Sequence, residues 1–138
     1  MTRQEKYPNT GTFVYYNANP KNRLTGDCIF RAISLATGYD WEEVVKMYYE
    51  IVIATGYDGN QTVDKLMDKL GWVKHKQPRK ADNTKYTGKE FCRQLADIGE
   101  RYVANIGGYH MVAIICGRVN DTWDSTDGCI GNYWTKGE

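Results

Sequence analysis

Three residues in this chain of 138 have the side chains and the order that thiol-based catalysis requires: Cys28, His110 and Asp124. In such catalysis a thiolate attacks a carbonyl carbon, an imidazole carries the proton, and a carboxylate orients the imidazole. The chemistry needs a cysteine with a lowered pKa and a carboxylate within hydrogen-bond reach of the histidine. The three residues lie far apart in the sequence, so folding must bring them together.

Cys28 is predicted to lie at the start of a helix. The residues TGD precede it, and the helical apolar run that follows stops at Gly38. Gly26 permits a tight backbone turn, and Thr25 or Asp27 is suited to cap the free amides of the first helical turn. The positive end of the helix dipole favours the thiolate form of a cysteine there. The sequence therefore predicts a reactive thiol at this position.

His110 is predicted to begin a strand, because the apolar run MVAII follows it directly. A sheet strand is a rigid element that can hold an imidazole in place. Gly107 and Gly108 allow the chain to approach another element closely. The second histidine, His75, lies in a polar, charged stretch, where an exposed or structural role is expected.

The carboxylate partner of His110 is predicted from the hairpin that follows. A turn centred on Gly117 would place Asp124 directly opposite His110, with Cβ atoms ~5 Å apart. An Asp124–His110 hydrogen bond is then feasible. A slip of one residue in the strand register would instead present Trp123 or Ser125.

Asp121 is the alternative carboxylate. In the register centred on Gly117 it would lie opposite Ala113, too far along the ladder to reach the His110 ring. Both Asp121 and Asp124 also suit a purely structural role at a turn or strand end. Asp124 is the predicted partner, and Asp121 stays open as the third member of the triad.

The elements that must position these residues are helices followed by strands. Apolar periodicity predicts helices over about 27–37, 40–54, 62–70 and 88–98. Capping-box pairs are predicted at Asp40–Glu43 and Thr87–Glu90. From Arg101 onward, β-branched and aromatic runs separated by glycine-rich turns predict an antiparallel sheet, and residues 12–17 predict a short edge strand. The predicted fold class is α+β, with N-terminal helices and a C-terminal antiparallel sheet.

Composition excludes several classes of protein. The formal net charge is +1, so there is no overall attraction to nucleic acid. No apolar run is long enough to span a membrane, and the first ten residues lack the apolar segment of a secretory signal. The spacing of the cysteines, at 28, 92, 116 and 129, matches no metal or redox motif. We therefore expect a single domain over 1–138 with free thiols, no metal or other cofactor, and no nucleic-acid or membrane partner.

Several segments resemble a known family. GDCIFRAISLATGYDWEEV, HMVAIICGRVNDTWDS and the terminal GNYW are similar to small uncharacterised papain-like proteins of phages and bacteria. Their pattern runs GDC-x-x-RA, then H-x-x-A, then DTW-[DN]. The resemblance implies a papain-like cysteine peptidase fold with the nucleophile at the start of the first helix. It covers both ends of the chain and leaves about 56–89 unmatched.

The resemblance also implies an oxyanion hole. Papain-like enzymes usually place a Gln or Asn about six residues before the cysteine, which here corresponds to Asn22, and the backbone amide of Cys28 would be the other donor. One departure is that Ile29 and Phe30 follow the cysteine, where the family often has a large aromatic residue first. Arg31, on the same helix, is expected to form a structural ion pair.

These observations predict a cysteine-dependent hydrolase that cleaves a peptide, isopeptide or other amide bond through a thioester, with a peptide or protein as substrate. One alternative is an acyl transferase that uses the same triad. Another is a non-catalytic papain-like binding protein, such as a phage inhibitor of a host target. A cytoplasmic location is expected, in the host cytoplasm if the protein is phage-encoded.

Overall fold

The computed structural model describes all 138 residues and has an α+β architecture, as predicted. The helices are α1 (Arg3–Lys6), α2 (Cys28–Thr37), α3 (Trp41–Thr55), α4 (Asn60–Lys69) and α5 (Gly88–Gln94). The strands are β1 (Phe13–Tyr15), β2 (Trp72–His75), β3 (Arg101–Ile106), β4 (His110–Ile115), β5 (Arg118–Asp121) and β6 (Ile130–Lys136). None of the helices combines the length and the apolar character needed to cross a membrane.

The six strands form one mixed sheet in the order β1-β5-β4-β3-β6-β2. Strands β3 to β6 are joined in antiparallel ladders, as predicted for the C-terminal half. The short edge strand predicted within residues 12–17 is confirmed as β1. The sheet is mixed rather than antiparallel throughout, because β1 pairs parallel with β5, and β2, which was not predicted, forms the other edge beside β6. Strands of three or four residues are too short to show a clear alternation of apolar and polar side chains. Their pairing therefore depends on which edge of the sheet they lie beside in the folded protein.

Helix α2 carries Cys28 as its first residue and packs on β4. Its buried face includes Ala32, Ile33 and Ala36, which recur at helical spacing. Gly38 ends the helix in the left-handed conformation, with φ 84°, and its N–H donates to Ser34 O at 2.9 Å. Because α2 lies directly on a central strand, Cys28 is held on a rigid support.

Three sequence expectations about the helix starts were wrong. Cys28 begins the second helix, because the short α1 precedes it and is capped by Thr2, whose hydroxyl accepts from the Glu5 N–H at 3.1 Å. Neither Thr25 nor Asp27 caps α2, since the Asp27 carboxylate is occupied by other donors. Asp40 likewise makes no side-chain cap at α3.

The Thr87–Glu90 capping box at the start of α5 is confirmed. The Thr87 hydroxyl accepts from the Glu90 N–H at 3.2 Å, and the Glu90 carboxylate accepts from the Thr87 N–H at 3.0 Å. Helix α5 is shorter than predicted and ends at Gln94.

The core consists of two apolar clusters on opposite faces of the sheet. Alternate residues of one strand face opposite sides, so β4 contributes Met111 and Ala113 to one cluster and Val112 and Ile114 to the other. The first cluster contains the apolar faces of α2, α3 and α4, and the second contains Phe91 of α5. Strand β4 is therefore packed against apolar side chains on both faces, and this packing fixes the position of its first residue, His110.

Candidate active site

The turn between β4 and β5 determines which carboxylate reaches His110. The paired residues are Ala113 and Asn120, Ile114 and Val119, and Ile115 and Arg118. The turn therefore consists of two residues, Cys116 and Gly117, both with positive φ (54° and 68°), as type I′ hairpin turns require. This register differs by one residue from the predicted one. Extended toward the strand ends, it places Trp123, rather than Asp124, opposite His110.

Asp121 is the residue that pairs with His110, and the predicted Asp124–His110 hydrogen bond was wrong. The Asp121 carboxylate Oδ2 forms a hydrogen bond with His110 Nε2. The corrected register makes Asp121 a diagonal neighbour of His110, and diagonal neighbours lie within reach of long side chains. Strand β5 ends at Asp121. Asp124 lies in the loop beyond it, where its carboxylate accepts from the Thr126 N–H at 3.0 Å and hydroxyl at 2.5 Å.

The second oxygen of Asp121 is also fully engaged. Oδ1 accepts from Arg31 Nη1 at 2.6 Å and from the Thr122 N–H at 2.7 Å. Asp121 is only 1% exposed, and this burial raises the pKa of its carboxyl group. The hydrogen bonds and charges of His110 and Arg31 outweigh the effect of burial, so the pKa lies below its ordinary value. Asp121 is therefore an ionised, immobile acceptor for the imidazole.

His110 is partly buried between Asp121 and the Trp123 ring. The two ring centroids lie 4.9 Å apart. Burial lowers the pKa of His110, but the hydrogen bonds and negative charges of Asp121 and Cys28 raise it to about 9. Because Asp121 occupies Nε2, Nδ1 is the nitrogen left to face the thiol. The imidazole is thus charged at neutral pH and directed toward Cys28.

The Cys28 thiol has a lowered pKa. Burial raises the pKa of Cys28, but the hydrogen bonds from His110 and the Met111 N–H, together with the positive charges of His110 and Arg31, bring it below the ordinary value. Its place in the first turn of α2 also faces it toward the positive end of the helix dipole. The lowered pKa of Cys28 and the raised pKa of His110 both favour the charged form of each group, a thiolate beside an imidazolium.

Arg31 links the site to Asp27, the residue just before the N-terminus of α2. Its Nε donates to Asp27 at 2.9 Å, and its Nη1 donates to Asp121. Asp27 also accepts from Asn19 Nδ2 and Trp41 Nε1, each at 3.0 Å. Arg31 and Asp27 are buried, so the structural ion pair expected for Arg31 is confirmed. A continuous chain of charged hydrogen bonds runs from Asp27 through Arg31 and Asp121 to His110.

Asn22, the residue expected in the oxyanion hole, is not among the residues that line the cleft with Cys28 and His110, so its role there stays a prediction. It is exposed and left-handed, with φ 54°, and its Oδ1 accepts from Asn17 Nδ2 at 3.3 Å. The loop turns at this point because Asn19 Oδ1 accepts from the N–H groups of Lys21 and Arg23. The N–H of Cys28 makes no hydrogen bond within the protein and remains a donor for an oxyanion.

Cys28 and His110 open onto a cleft of ≈ 290 Å³, which Trp123, Arg3 and Arg23 also line. The sequence patterns did not identify the two arginines, because both belong to polar stretches without periodicity. Three larger cavities, of ≈ 500, ≈ 530 and ≈ 330 Å³, are lined by neither Cys28 nor a histidine, so chemistry rather than volume identifies the site. No group of three or more His, Cys, Asp or Glu side chains is arranged to hold a metal ion.

Comparison of the chain with family models, with curated proteins and with solved structures found no match. The family of the protein therefore remains a hypothesis that depends on the quoted motifs and on the residues of the cleft.

Proposed function

We propose that this protein is a papain-like cysteine hydrolase that cleaves an amide bond in a peptide or protein substrate. The observation that carries the proposal is a buried Asp121–His110 pair beside a thiol whose pKa is lowered. Cys28 is partly buried and lines the same cleft as His110. Perturbed pKa values of this kind cluster at functional sites.

In the proposed first step, the Cys28 thiolate attacks the substrate carbonyl carbon and a carbon–sulfur bond forms. The carbonyl electron pair moves to oxygen, and the Cys28 N–H donates to that oxyanion, a contact worth roughly 3 kcal/mol of barrier. The His110 imidazolium then gives its Nδ1 proton to the leaving amine as the carbon–nitrogen bond breaks. The products of this step are a free amine and a thioester on Cys28.

In the proposed second step, water hydrolyses the thioester. Neutral His110 takes a proton from water as the water oxygen attacks the carbonyl carbon. The carbon–sulfur bond breaks, the carboxylic acid product leaves, and the thiolate–imidazolium pair is restored. An amine that replaced water in this step would make the protein an acyl transferase instead.

Asp121 acts in both steps as a positioning residue. Its hydrogen bond to Nε2 holds the ring so that Nδ1 points at the thiol, and it stabilises the imidazolium. Arg31 in turn prevents rotation of the Asp121 carboxylate by holding its other oxygen. Four charged groups therefore support one reactive sulfur atom.

The proposal is tested with p-nitrophenyl acetate, which releases a coloured phenolate when a thiol is acylated. We expect rapid release of one equivalent, a mass increase of one acetyl group on Cys28, and then slower turnover by water. Cys28→Ser and His110→Ala should lose the release, whereas Cys116→Ser, which removes an exposed thiol, should keep it.

Three outcomes of the same experiment would decide among the alternatives. Acetylation spread evenly over Cys28, Cys116 and Cys129 would contradict a specific nucleophile and favour a non-catalytic binding protein. Faster loss of the acetyl group in the presence of a primary amine, with the acetyl amide as product, would identify an acyl transferase. Loss of the acetyl group at a rate independent of added amine supports the hydrolase.

A further inference from the structure

We propose that the cleft selects substrates with a carboxylate group next to the bond that is cleaved, with Arg3 and Arg23 as the residues that bind it. This inference names the substrate class of the proposed hydrolase and therefore rests on the proposed function. Both arginines line the same cleft as Cys28 and His110, and no Asp or Glu side chain lines it.

Arg3 is held in place before any substrate binds. Its Nε donates to the Thr122 carbonyl at 2.6 Å, which ties α1 to the segment just after β5. Its guanidinium carbon also lies 5.5 Å from the centre of the Tyr7 ring. The terminal nitrogens have no carboxylate partner in the protein. A guanidinium with its Nε fixed and its terminal nitrogens free presents donors toward an incoming anion.

Arg23 is a second cation that lines the cleft, on the loop before α2. Its backbone is anchored, because its N–H donates to Asn19 Oδ1 at 3.2 Å and its carbonyl accepts from Asn17 Nδ2 at 3.0 Å. Its side chain is exposed and makes no salt bridge. The backbone is therefore fixed while the guanidinium remains available.

The excess of positive charge is local to the cleft. The whole chain has a formal net charge of only +1. The two carboxylates behind the site, Asp27 and Asp121, are buried and already paired with Arg31 and His110. A small substrate in the cleft thus meets two unpaired guanidinium groups and an imidazolium. Guanidinium groups bind carboxylates through paired hydrogen bonds, so an acidic residue beside the scissile amide is the chemistry that fits.

The experiment compares two alkylating agents of nearly equal size that differ in charge. Iodoacetate and iodoacetamide both form a carbon–sulfur bond with a thiolate as iodide leaves, but only iodoacetate carries a carboxylate. We measure the ratio of the iodoacetate rate to the iodoacetamide rate at each cysteine by peptide mass spectrometry. We expect a higher ratio at Cys28 than at the exposed Cys116 and Cys129.

Variants assign that difference to the arginines rather than to His110. Arg3→Gln and Arg23→Gln should each lower the Cys28 ratio by roughly 3-fold, the effect of one partly screened charge contact. Lys21→Gln is the matched control, because it removes one exposed positive charge from the same loop but does not line the cleft. A Cys28 ratio that is unchanged in both arginine variants, or that falls equally in Lys21→Gln, overturns the inference.

Failure of the proposed function is distinguished by a second measurement that needs no reactive thiol. In Cys28→Ser, the Trp123 indole resonance reports binding of N-acetylglutamate methylamide and of its glutamine analogue. We expect the acidic compound to bind at least about 3-fold more tightly, with the preference lost in the Arg3→Gln, Arg23→Gln double variant. An unreactive Cys28 with a retained preference would overturn only the proposed function. Equal binding of the two compounds overturns the substrate class.

Discussion

At the scale of single residues, Cys28 and Cys92 show how surroundings set thiol chemistry. Both are largely removed from water, and burial raises the pKa of a thiol. Cys92, on α5, faces apolar neighbours, so burial raises its pKa to about 11. Burial also raises the pKa of Cys28, but the hydrogen bonds of His110 and Met111 and the charges of His110 and Arg31 outweigh it, and the pKa falls. The polar and charged neighbours of each thiol therefore set its reactivity.

The pH dependence of alkylation tests this difference. We expect iodoacetamide to modify Cys28 at pH values below the ordinary thiol pKa of 9.0, with loss of the ion pair above about 9, where His110 loses its proton. The ion pair exists between two pH limits. The lowered pKa of Cys28 sets the acidic limit, below which the thiolate takes up a proton. The raised pKa of His110 sets the alkaline limit, above which the imidazolium loses its proton. His110→Ala should move the onset to higher pH. A Cys28 profile that coincides with that of Cys92 would contradict the ion pair.

Asp121 and Asp124 offer a matched pair of variants. Asp121→Asn should lower the turnover of p-nitrophenyl acetate by roughly 100-fold or more, because the wrong tautomer of His110 is held. It should also move the alkaline limb from about 9 toward the ordinary histidine value of 6.5. Asp124→Asn changes only the acceptor of the two hydrogen bonds from Thr126 and should leave the pH profile in place. Equal effects of the two variants on the pH–rate profile would count against Asp121.

At the scale of elements, α5 is positioned against the loop that follows the site by close backbone packing. The Gly88 N–H donates to the Gly128 carbonyl at 2.8 Å, and the Lys89 N–H donates to the Thr126 carbonyl at 3.0 Å. A Cβ at Gly88 would lie 2.8 Å from Ile106 Cδ1 and 3.0 Å from Thr126 Cα. Glycine is required here by the approach of two backbones, and this approach holds the loop that begins at Thr122.

Gly88→Ala tests that packing. Alanine favours a helix over glycine by about 1 kcal/mol, yet we expect a net loss of roughly 1–3 kcal/mol in the free energy of unfolding because of the clash. Urea unfolding at neutral pH measures the loss. Gly99→Ala is the control, since a Cβ at that position would have no other atom within 4 Å. A Gly88→Ala protein as stable as the parent would refute the close approach.

At the scale of the whole molecule, buried charges join the helical layer to the sheet. Arg31 of α2 binds Asp27 at the start of its own helix and Asp121 at the end of β5. Each buried charge is costly to desolvate, and the arrangement is tolerated because every charge is paired and hydrogen-bonded. The lowered pKa values of Asp27 and Asp121, in which burial is outweighed by their partners, reflect this pairing. The same contacts that orient the imidazole thus also contribute to the docking of α2.

Arg31→Gln should lower the free energy of unfolding by roughly 3–5 kcal/mol at pH 7, because two buried carboxylates lose their cation. Both carboxylates have folded-state pKa values below 3.8, so their stabilisation is present above that pH and is lost as pH falls through the folded values. The difference between Arg31→Gln and the parent should therefore shrink in acid. Urea unfolding at pH 7 and near pH 3 measures it.

Arg93→Gln is the control for Arg31→Gln, because Arg93 is exposed on α5 and forms no salt bridge. We expect its effect to stay within about 0.5 kcal/mol at both pH values. A penalty for Arg31→Gln that is equally large at pH 7 and pH 3 would mean that packing of the side chain, rather than its charge, supports the fold.

The sequence by itself determined the features that depend on neighbouring residues. The start of α2 at Cys28, its stop at Gly38, the Thr87–Glu90 cap and the strand that begins at His110 are all local patterns, and local interactions produce them. The α+β class follows from their order along the chain. Arg31 was also assigned correctly as an ion-pairing residue, although its partners were not named.

Only the tertiary structure decided which groups meet at the thiol. A two-residue turn at Cys116 and Gly117 shifted the register by one residue, and that shift selected Asp121 over Asp124. Hydrogen bonds to Asn19 shaped the preceding loop, in which Arg23 lines the cleft and Asn22 does not, and the docking of α1 brought Arg3 to the cleft. These choices depend on contacts between residues far apart in the chain, and no local pattern encodes them.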